Sequence, residues 1–408
     1  MAAANLTLDS DCIVARDQQY VVRNYGRYPL VVSRAQGVYL HCPEGGRYLD
    51  FISGIGVMAL GHSHPRIVAA IEDQLGTLTH CSNLYYHPLQ GAVAEQLAAL
   101  SGLQRTFFCN SGAEAVEAAL KIAKGYGRAR NEAKHEIVAL HDSFGGRTLG
   151  AISVTGQAKY SDPFAPLIPG VRFVAPNDLE ALKSAVNENT AGILFEPILG
   201  EGGIVEITAE FAATARELAT ANDALLICDE VQCGMGRTGK PFAFQHWDDG
   251  FLPDVMTLAK PLAAGLPIGA TVCSEAAAAV LAPGMHGSTF GGGGLACRAA
   301  LEFLEMLPEM LPHVQEIGAY FRSRLQELVV RYDFVSGVRG KGLMLGLELT
   351  IPGGDFVPGA QRKGLLMNCT AGNILRFLPP FVIEREHVDE AIGILDDTLR
   401  EGAIEDDQ

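Results

Sequence analysis

Four places along the chain put reactive side chains where chemistry could use them. The apolar run Ala224-Leu-Leu-Ile-Cys ends in two carboxylates, Asp229 and Glu230. In open parallel sheets, ligands sit beyond the carboxyl ends of strands, so a charge there is a site candidate; a helix cap or a salt bridge is the plainer reading. Lys260 directly follows Asp254-Val-Met-Thr-Leu-Ala and precedes the small apolar loop Pro-Leu-Ala-Ala-Gly. An amine with so little polar company is desolvated, which lowers its pKa and suits it to Schiff-base chemistry; a surface lysine at a strand end is the alternative. The separation of 31 residues from Asp229 to Lys260 fits one helical crossover, with both groups at the same sheet edge.

The third place is Asn110-Ser-Gly-Ala-Glu. Ser111 and Glu114 have capping-box spacing, and Gly112 allows close approach to free backbone N–H groups at a helix start, where phosphate binds. The fourth is Phe144-Gly-Gly-Arg-Thr, with a ring able to stack on a planar cofactor and an arginine, Arg147, able to grip a carboxylate bidentately. Each motif alone has an ordinary structural reading. Together they supply an amine, a carboxylate for a pyridinium nitrogen, a phosphate cradle and a stacking ring. That is what pyridoxal phosphate requires of a protein.

The elements that must position these groups follow from apolar patterning. Short apolar runs at 106–109, 136–140, 191–195, 224–228 and 254–258 alternate with helical segments at 65–75, 89–100 and 113–125. That texture predicts buried parallel strands in an α/β unit. Residues 1–50 read as a leading arm with short strands at 37–40 and 47–50. Beyond Gly294 the pattern changes to two amphipathic helices, 295–307 and 314–330, strands at 334–339, 343–349 and 374–378, and a helix over 388–399. The expected division is an arm (1–55), a large cofactor-binding domain (56–294) and a small C-terminal α+β domain (295–408).

The sequence resembles the class III, ornithine-type, pyridoxal-phosphate aminotransferases from about Tyr25 to Leu399. The most specific stretch is LLICDEVQCGMGRTGKPFAFQHW followed by PDVMTLAKPLAAGLPIGA; GIGVMALGHSHP, HCSNLYYHPLQ, FFCNSGAEAVEAALKIAK, SVTGQAKY, FEPILGEGGI, HGSTFGG, VRGKGLMLGLEL and GNILRFLPPF support it. The resemblance implies the fold-type-I, aspartate-aminotransferase-like architecture: a large domain with a mixed, mostly parallel sheet, plus the small domain. It implies a homodimer with shared active sites.

By matching position, Lys260 would be the Schiff-base lysine, Asp229 the partner of the pyridine nitrogen, and Gln232 a contact to the ring hydroxyl. Ser111, Gly112 and Ala113 would hold the phosphate, Phe144 and Val231 would cover the two ring faces, and Glu196 would belong to the cofactor shell. Thr289 would reach the phosphate of the other subunit. Arg147 resembles the arginine for the substrate α-carboxylate, Arg376 the arginine for 2-oxoglutarate or glutamate, and Glu201 the glutamate that gates it. Ile55 stands where ornithine-using members carry tyrosine and members using acetylornithine or 4-aminobutyrate carry isoleucine, which favours a donor with an acylated or absent α-amine. Tyr25 matches a substrate-side aromatic, with core packing as its alternative.

The implied reaction is ping-pong transfer of the δ-amino group of N-acetylornithine to 2-oxoglutarate, a step of arginine biosynthesis. 4-Aminobutyrate, succinylornithine and ornithine are the alternative donors; an aminomutase or a non-catalytic cofactor-binding protein are the other classes. Two departures from the family stand out. Residues 291–294 are four glycines where Gly-Gly-Asn-Pro is usual, which raises the ordering cost of the loop that carries Thr289. Pro261 follows Lys260, which predicts an extended backbone at the lysine.

Bulk composition narrows the field. Hydrophobic residues are 48% of 408, ample for a core, and the net charge of −16 argues against a duplex-binding surface. Glycine is abundant, 46 residues, and much of it falls in the motifs above. Nine scattered cysteines form no CxxC pair, and the opening MAAANLTLDSD has neither a basic nor an apolar region, so a cytoplasmic location without a secretory signal is expected. His62 and His64 flank a serine, but Gly61 and Pro65 bracket them as a turn, and no metal is expected.

Overall fold

The structure, a computed structural model, describes residues 9–248 and 250–405. The first eight residues and the last three of the acidic tail lie outside it. A helix not anticipated in the leading arm, Ser10–Tyr20, begins where the Asp9 carboxylate accepts the Cys12 N–H, and none of its residues is buried. Strands β1 (Arg34–Gln36), β2 (Tyr39–His41) and β3 (Arg47–Asp50) follow as an antiparallel ribbon.

Next in the chain come β4 (Arg105–Cys109), β5 (Glu136–Leu140), β6 (Val171–Val174) and β7 (Thr190–Phe195). A small hairpin of β8 (Ile198–Leu199) and β9 (Val205–Glu206) precedes β10 (Leu225–Asp229), β11 (Val255–Leu258) and β12 (Gly269–Cys273). Seven of these make one sheet, ordered β4-β12-β11-β10-β7-β5-β6. Pairing is parallel from β11 through β10, β7 and β5 to β6, and antiparallel on both sides of β12. The sheet is thus mixed and mostly parallel. Strands β7, β10, β11 and β12 are buried along their whole length, which explains their unbroken apolar runs.

The crossover from β10 to β11 departs from expectation. Among its described residues it carries a 3-10 turn, Ala243–His246, and no α-helix. Buried Glu230 organises it by accepting the N–H groups of Ala243 and Phe244 at 2.9 and 2.7 Å. Burial pushes this carboxyl up to about 7 against those two bonds.

The two C-terminal helices expected at 295–307 and 314–330 are one helix, Gly294–Arg331. Pro308 and Pro312 lie inside it, four residues apart and both exposed. Each removes one rung on the solvent side, while Leu307, Val314, Phe321, Leu325 and Leu328 stay buried. The apolar stripe runs through the prolines and holds the helix against the Pro65–Thr77 and Pro88–Ser101 helices. After it, β13 (Val335–Lys341), β14 (Met344–Leu349), β16 (Asn368–Thr370) and β17 (Ile374–Phe377) form a second sheet, while β15 (Leu365–Leu366) pairs with β3. No described helix is long and apolar enough to cross a membrane.

Candidate active site

Five strands that run the same way deliver the site. Ser111 follows β4, Phe144 follows β5, Glu196 follows β7, Asp229 ends β10, and Lys260 comes two residues after β11. All lie beyond carboxyl ends, where strand polarity leaves a crevice. Register places Asp229 opposite Thr257, whose hydroxyl donates to Asp229 Oδ1 at 2.9 Å, and the Val231 N–H donates to the same oxygen at 3.0 Å. Both side-chain hydrogen bonds fall on Oδ1, which leaves Oδ2 for a ligand. Burial raises this carboxyl to about 6.

Lys260 opens a 3-10 turn, Lys260–Ala263, and is not extended. Pro261 is tolerated because the first turn of a helix has no acceptor for its missing N–H. Desolvation lowers the pKa of the lysine amine; Arg376 adds to the effect, while Glu201, Glu196 and Asp229 oppose it. These five groups therefore share one electrostatic pocket. Glu196 accepts N–H groups from Phe144 (2.9 Å) and Gly200 (3.1 Å); burial, then Asp229, pushes its carboxyl up to about 8.

The capping box forms as its spacing suggests. Ser111 Oγ accepts the Glu114 N–H at 3.2 Å, Glu114 reaches back to the Asn110 N–H at 2.6 Å, and the helix Gly112–Arg128 begins. A Cβ at Gly112 would fall 2.8 Å from the Val231 side chain, so only glycine lets the helix start meet Val231. From the same helix, Glu117 accepts Thr148 Oγ1 (2.6 Å) and the Gly150 N–H (2.9 Å), tying down the 144–150 loop. On that loop Arg147 is exposed; its guanidinium lies 3.9 Å from the Tyr160 ring centre and 5.5 Å from that of Phe144.

Arg376 on β17 is 1% exposed. Its Nη1 donates to Glu201 Oε1 at 2.5 Å, Gln232 Oε1 at 3.1 Å and the Gly200 carbonyl at 3.2 Å, and its Nε donates to Asn368 Oδ1 at 3.2 Å. Gln232 also donates to Glu201, at 3.3 Å. Burial would raise the Glu201 carboxyl, but Arg376 outweighs it and holds the group below the usual carboxylate range.

Ile55 is exposed in the turn Ser53–Gly56, where all four residues have positive φ (48°, 65°, 63° and 82°). A β-branched residue there is strained. The turn is held from both sides. Asp50 Oδ1 accepts the N–H groups of Ile52 and Ser53, Asp50 Oδ2 lies 2.7 Å from His62 Nε2, and Ser53 Oγ donates to the Leu378 carbonyl. That last bond fixes the turn beside the strand of Arg376.

Two expected residues stand apart from this group within the chain. Tyr25 is 69% exposed, with the Arg27 guanidinium 5.8 Å from its ring. Thr289 is exposed beside the segment His80–His87. The four-glycine run beside it is held by hydrogen bonds that can offset its ordering cost. Asn83 donates to the carbonyls of Ser288 and Gly291 at 3.0 Å, and His87 Nε2 lies 2.8 Å from the Gly292 carbonyl. A Cβ at Gly291 would fall 2.3 Å from the Phe108 carbonyl, so the packing itself excludes a side chain.

Sequence reasoning missed Thr257, Tyr160, Asn368 and Tyr28. Thr257 had a signal, as the one polar residue in the Val-Met-Thr-Leu strand. Tyr160 lay in the SVTGQAKY string. Tyr28 is raised by burial, with Cys369 adding and Arg376 opposing, which puts it within electrostatic reach of the Arg376 pocket. Asn368 needed the β16–β17 register, which sets it opposite Arg376.

A desolvated amine, a carboxylate oxygen left open, a glycine helix start packed against Val231, and the Phe144 loop fit pyridoxal phosphate. Comparison with known proteins agrees. The profile of the Aminotransferase class-III family matches residues 20–399. An acetylornithine aminotransferase of Methanocaldococcus jannaschii is 46% identical over 94% of this chain and 97% of its own length; one from Aquifex aeolicus is 46% identical over 93% and 100%. Among solved structures, an ornithine aminotransferase of Toxoplasma gondii superposes with a TM-score of 0.91 at 34% identity, covering 98% of this chain and 96% of that one. An amine transaminase from an uncultivated Pseudomonas species, solved in its pyridoxal-phosphate-bound form, gives 0.86 at 28%, covering 93% and 97%.

Proposed function

Because the chain belongs to the class III aminotransferases and is a pyridoxal-phosphate enzyme, we propose that it moves the δ-amino group of N-acetylornithine to 2-oxoglutarate. The products are N-acetylglutamate 5-semialdehyde and glutamate, a step of arginine biosynthesis in the cytoplasm. The observation that carries this reading is the buried Arg376–Glu201 pair beside Lys260. A transaminase of this kind must accept a side-chain amine first and an α-keto diacid second. A counter-charge that occupies the arginine in one half-reaction and yields it in the other serves both, since a buried arginine left bare is costly.

Pyridoxal phosphate, when bound, draws electrons from the amine-bearing carbon of the substrate. Asp229 would hold its ring nitrogen through Oδ2, Gln232 its ring hydroxyl, and Ser111 with the Gly112 and Ala113 N–H groups its phosphate. Phe144 and Val231 would cover its faces, with Glu196 in the surrounding shell. Lys260, whose amine desolvation makes easier to deprotonate, would take a proton from the substrate carbon and return it. Arg147 would grip the donor α-carboxylate. Ile55 offers no partner to a free α-amine, which supports an acylated donor, as do the names of the relatives. Tyr25 remains assigned to the substrate side.

The active unit is a homodimer in this reading, with Thr289 reaching the partner's phosphate. Leu84, Tyr85, Tyr86 and Phe290 stand 83, 70, 106 and 69% exposed near that threonine, an apolar surface that a second copy would cover. The division into 1–55, 56–294 and 295–408 is retained as part of the proposal, with the β3–β15 pairing in its support.

A half-reaction screen tests the donor. The visible absorbance of the lysine-linked cofactor is followed with acetylornithine, succinylornithine, ornithine and 4-aminobutyrate. Acetylornithine is expected to bleach it fastest, by about tenfold over ornithine, the discrimination that one or two pocket contacts provide. Faster bleaching by ornithine or 4-aminobutyrate overturns the assignment.

A further inference from the structure

An open cleft of about 530 Å³ lies at the surface around Lys240, Arg322 and Lys341. Its walls are the loop after β10, the helix Gly294–Arg331 and the turn between β13 and β14, which is the Gly-Lys-Gly of the VRGKGLMLGLEL string. Lys240, Arg322 and Lys341 line it, with Glu206 as the one carboxylate. Three fixed positive charges against one negative is an unusual balance on a chain of net charge −16. His246, also in the wall, stays neutral. Burial, then Lys341 and Lys240, brings its ring down to about 4.

The cations are not used up by the protein. Lys341 Nζ is 3.6 Å from Glu206, a loose and half-exposed pair of the kind that contributes little. Arg322 donates to the carbonyls of Val338 and Gly340, which orients its guanidinium without neutralising it. Lys240 likewise donates to a carbonyl, that of Gln245, at 2.6 Å. The floor is bare backbone. Gly342 has φ +58°, and a Cβ there would fall 2.6 Å from the Thr238 backbone. A local excess of positive charge concentrates anions at the surface.

The walls lead to the site. Glu206 pairs with Ile198 in the hairpin whose turn carries Gly200 and Glu201. Lys240 and His246 follow Gln232 in the same loop. Two of the segments that hold Arg376 thus also border the cleft.

We propose that this cleft binds a small oxyanion with at least two negative charges, a phosphate or a polycarboxylate, and that its occupancy biases the Glu201–Arg376 pair. A bound anion at Lys240 and Lys341 acts on the loop after β10 and on the β8–β9 hairpin, the segments that carry Gln232 and Glu201. The coupling half rests on the gate role given to Glu201 above; the site itself does not.

The test uses the holoenzyme, whose cofactor already fills the active-site phosphate cradle. Isothermal titration with inorganic phosphate and, separately, with citrate identifies which source of the oxyanion is taken. Saturable binding of at least one is expected, weakened about tenfold in Lys341→Glu. Lys240→Gln is the second variant, and retained cofactor absorbance confirms that each one folds. Absence of saturable binding, or wild-type affinity in both variants, overturns the site. For the coupling, the anion should change the ratio of the two half-reaction rates in wild type and not in Lys341→Glu. Binding with an unchanged ratio overturns the coupling alone, and needs no assumption about the donor.

Discussion

Arg376 lies 1% exposed on a strand with hydrogen bonds to Gly200, Glu201, Gln232 and Asn368, whereas Arg147 is exposed on a loop and rests on the Tyr160 ring. The first must carry its counter-charge with it, because a buried guanidinium has no water to fall back on. The second needs only orientation, which an aromatic face supplies while leaving the N–H fork free. One arginine already has its partner; the other has its fork free.

The contrast can be broken by substitution. Arg376→Ala strands Glu201 and removes the anchor for the second carboxylate of the keto acid. A fall of about 10³ in kcat/KM for 2-oxoglutarate is expected, from a loss of roughly 3–5 kcal/mol. A loss of less than about tenfold would mean the pair is only structural.

Glu201→Ala should act unevenly. With Arg376 permanently open, the acetylornithine half-reaction should slow by about 10–100-fold while the 2-oxoglutarate half-reaction changes several-fold at most. Stopped-flow traces of each half-reaction decide it: equal slowing of both would falsify the gate.

Asp229 gives the comparison an acidic control. Its carboxyl rises from 3.8 to about 6 on burial, so between those values the native chain keeps a proton that the unfolded chain has lost. Its contribution to stability is therefore complete below pH 3.8 and disappears as the pH rises through about 6. A cationic ring at Oδ2 relieves that penalty. Cofactor affinity of the cofactor-free protein should drop by up to about tenfold per pH unit below 6, and Asp229→Asn should flatten that limb. An unchanged limb in the variant assigns it to another group.

The smallest effect is expected at Tyr160. Replacing it with leucine should raise the donor KM about fivefold with kcat preserved, the worth of one cation–π contact, while Tyr160→Phe stays near wild type. A larger loss in the phenylalanine variant would show that the hydroxyl, not the ring, matters.

Much of the site was legible because strand ends punctuate an apolar sequence. The carboxylates of β10, the lysine after β11 and the cap before the Gly112–Arg128 helix each stand out from their neighbours in type. Their partners do not. Thr257 meets Asp229 and Asn368 meets Arg376 through strand register, which is a property of two segments at once. In the fold, β5 matched its apolar run residue for residue. The joined helix Gly294–Arg331 did not match, because two exposed prolines mark a break locally while the buried stripe beneath them is continuous. The crossover without an α-helix was hidden for a related reason: Glu230, read as a candidate ligand group, instead anchors the loop by accepting two backbone N–H groups.

The turn around Ile55 bears on how this chain can change. Glycine or asparagine at that position would relax a left-handed backbone that isoleucine strains by roughly 1–3 kcal/mol. The same replacement deletes the apolar side chain proposed to face the donor. Selection for heat resistance and selection for the donor therefore pull on one residue in opposite directions. A library screened for thermal survival alone should drift toward variants that are sturdier and less choosy about the amine they accept.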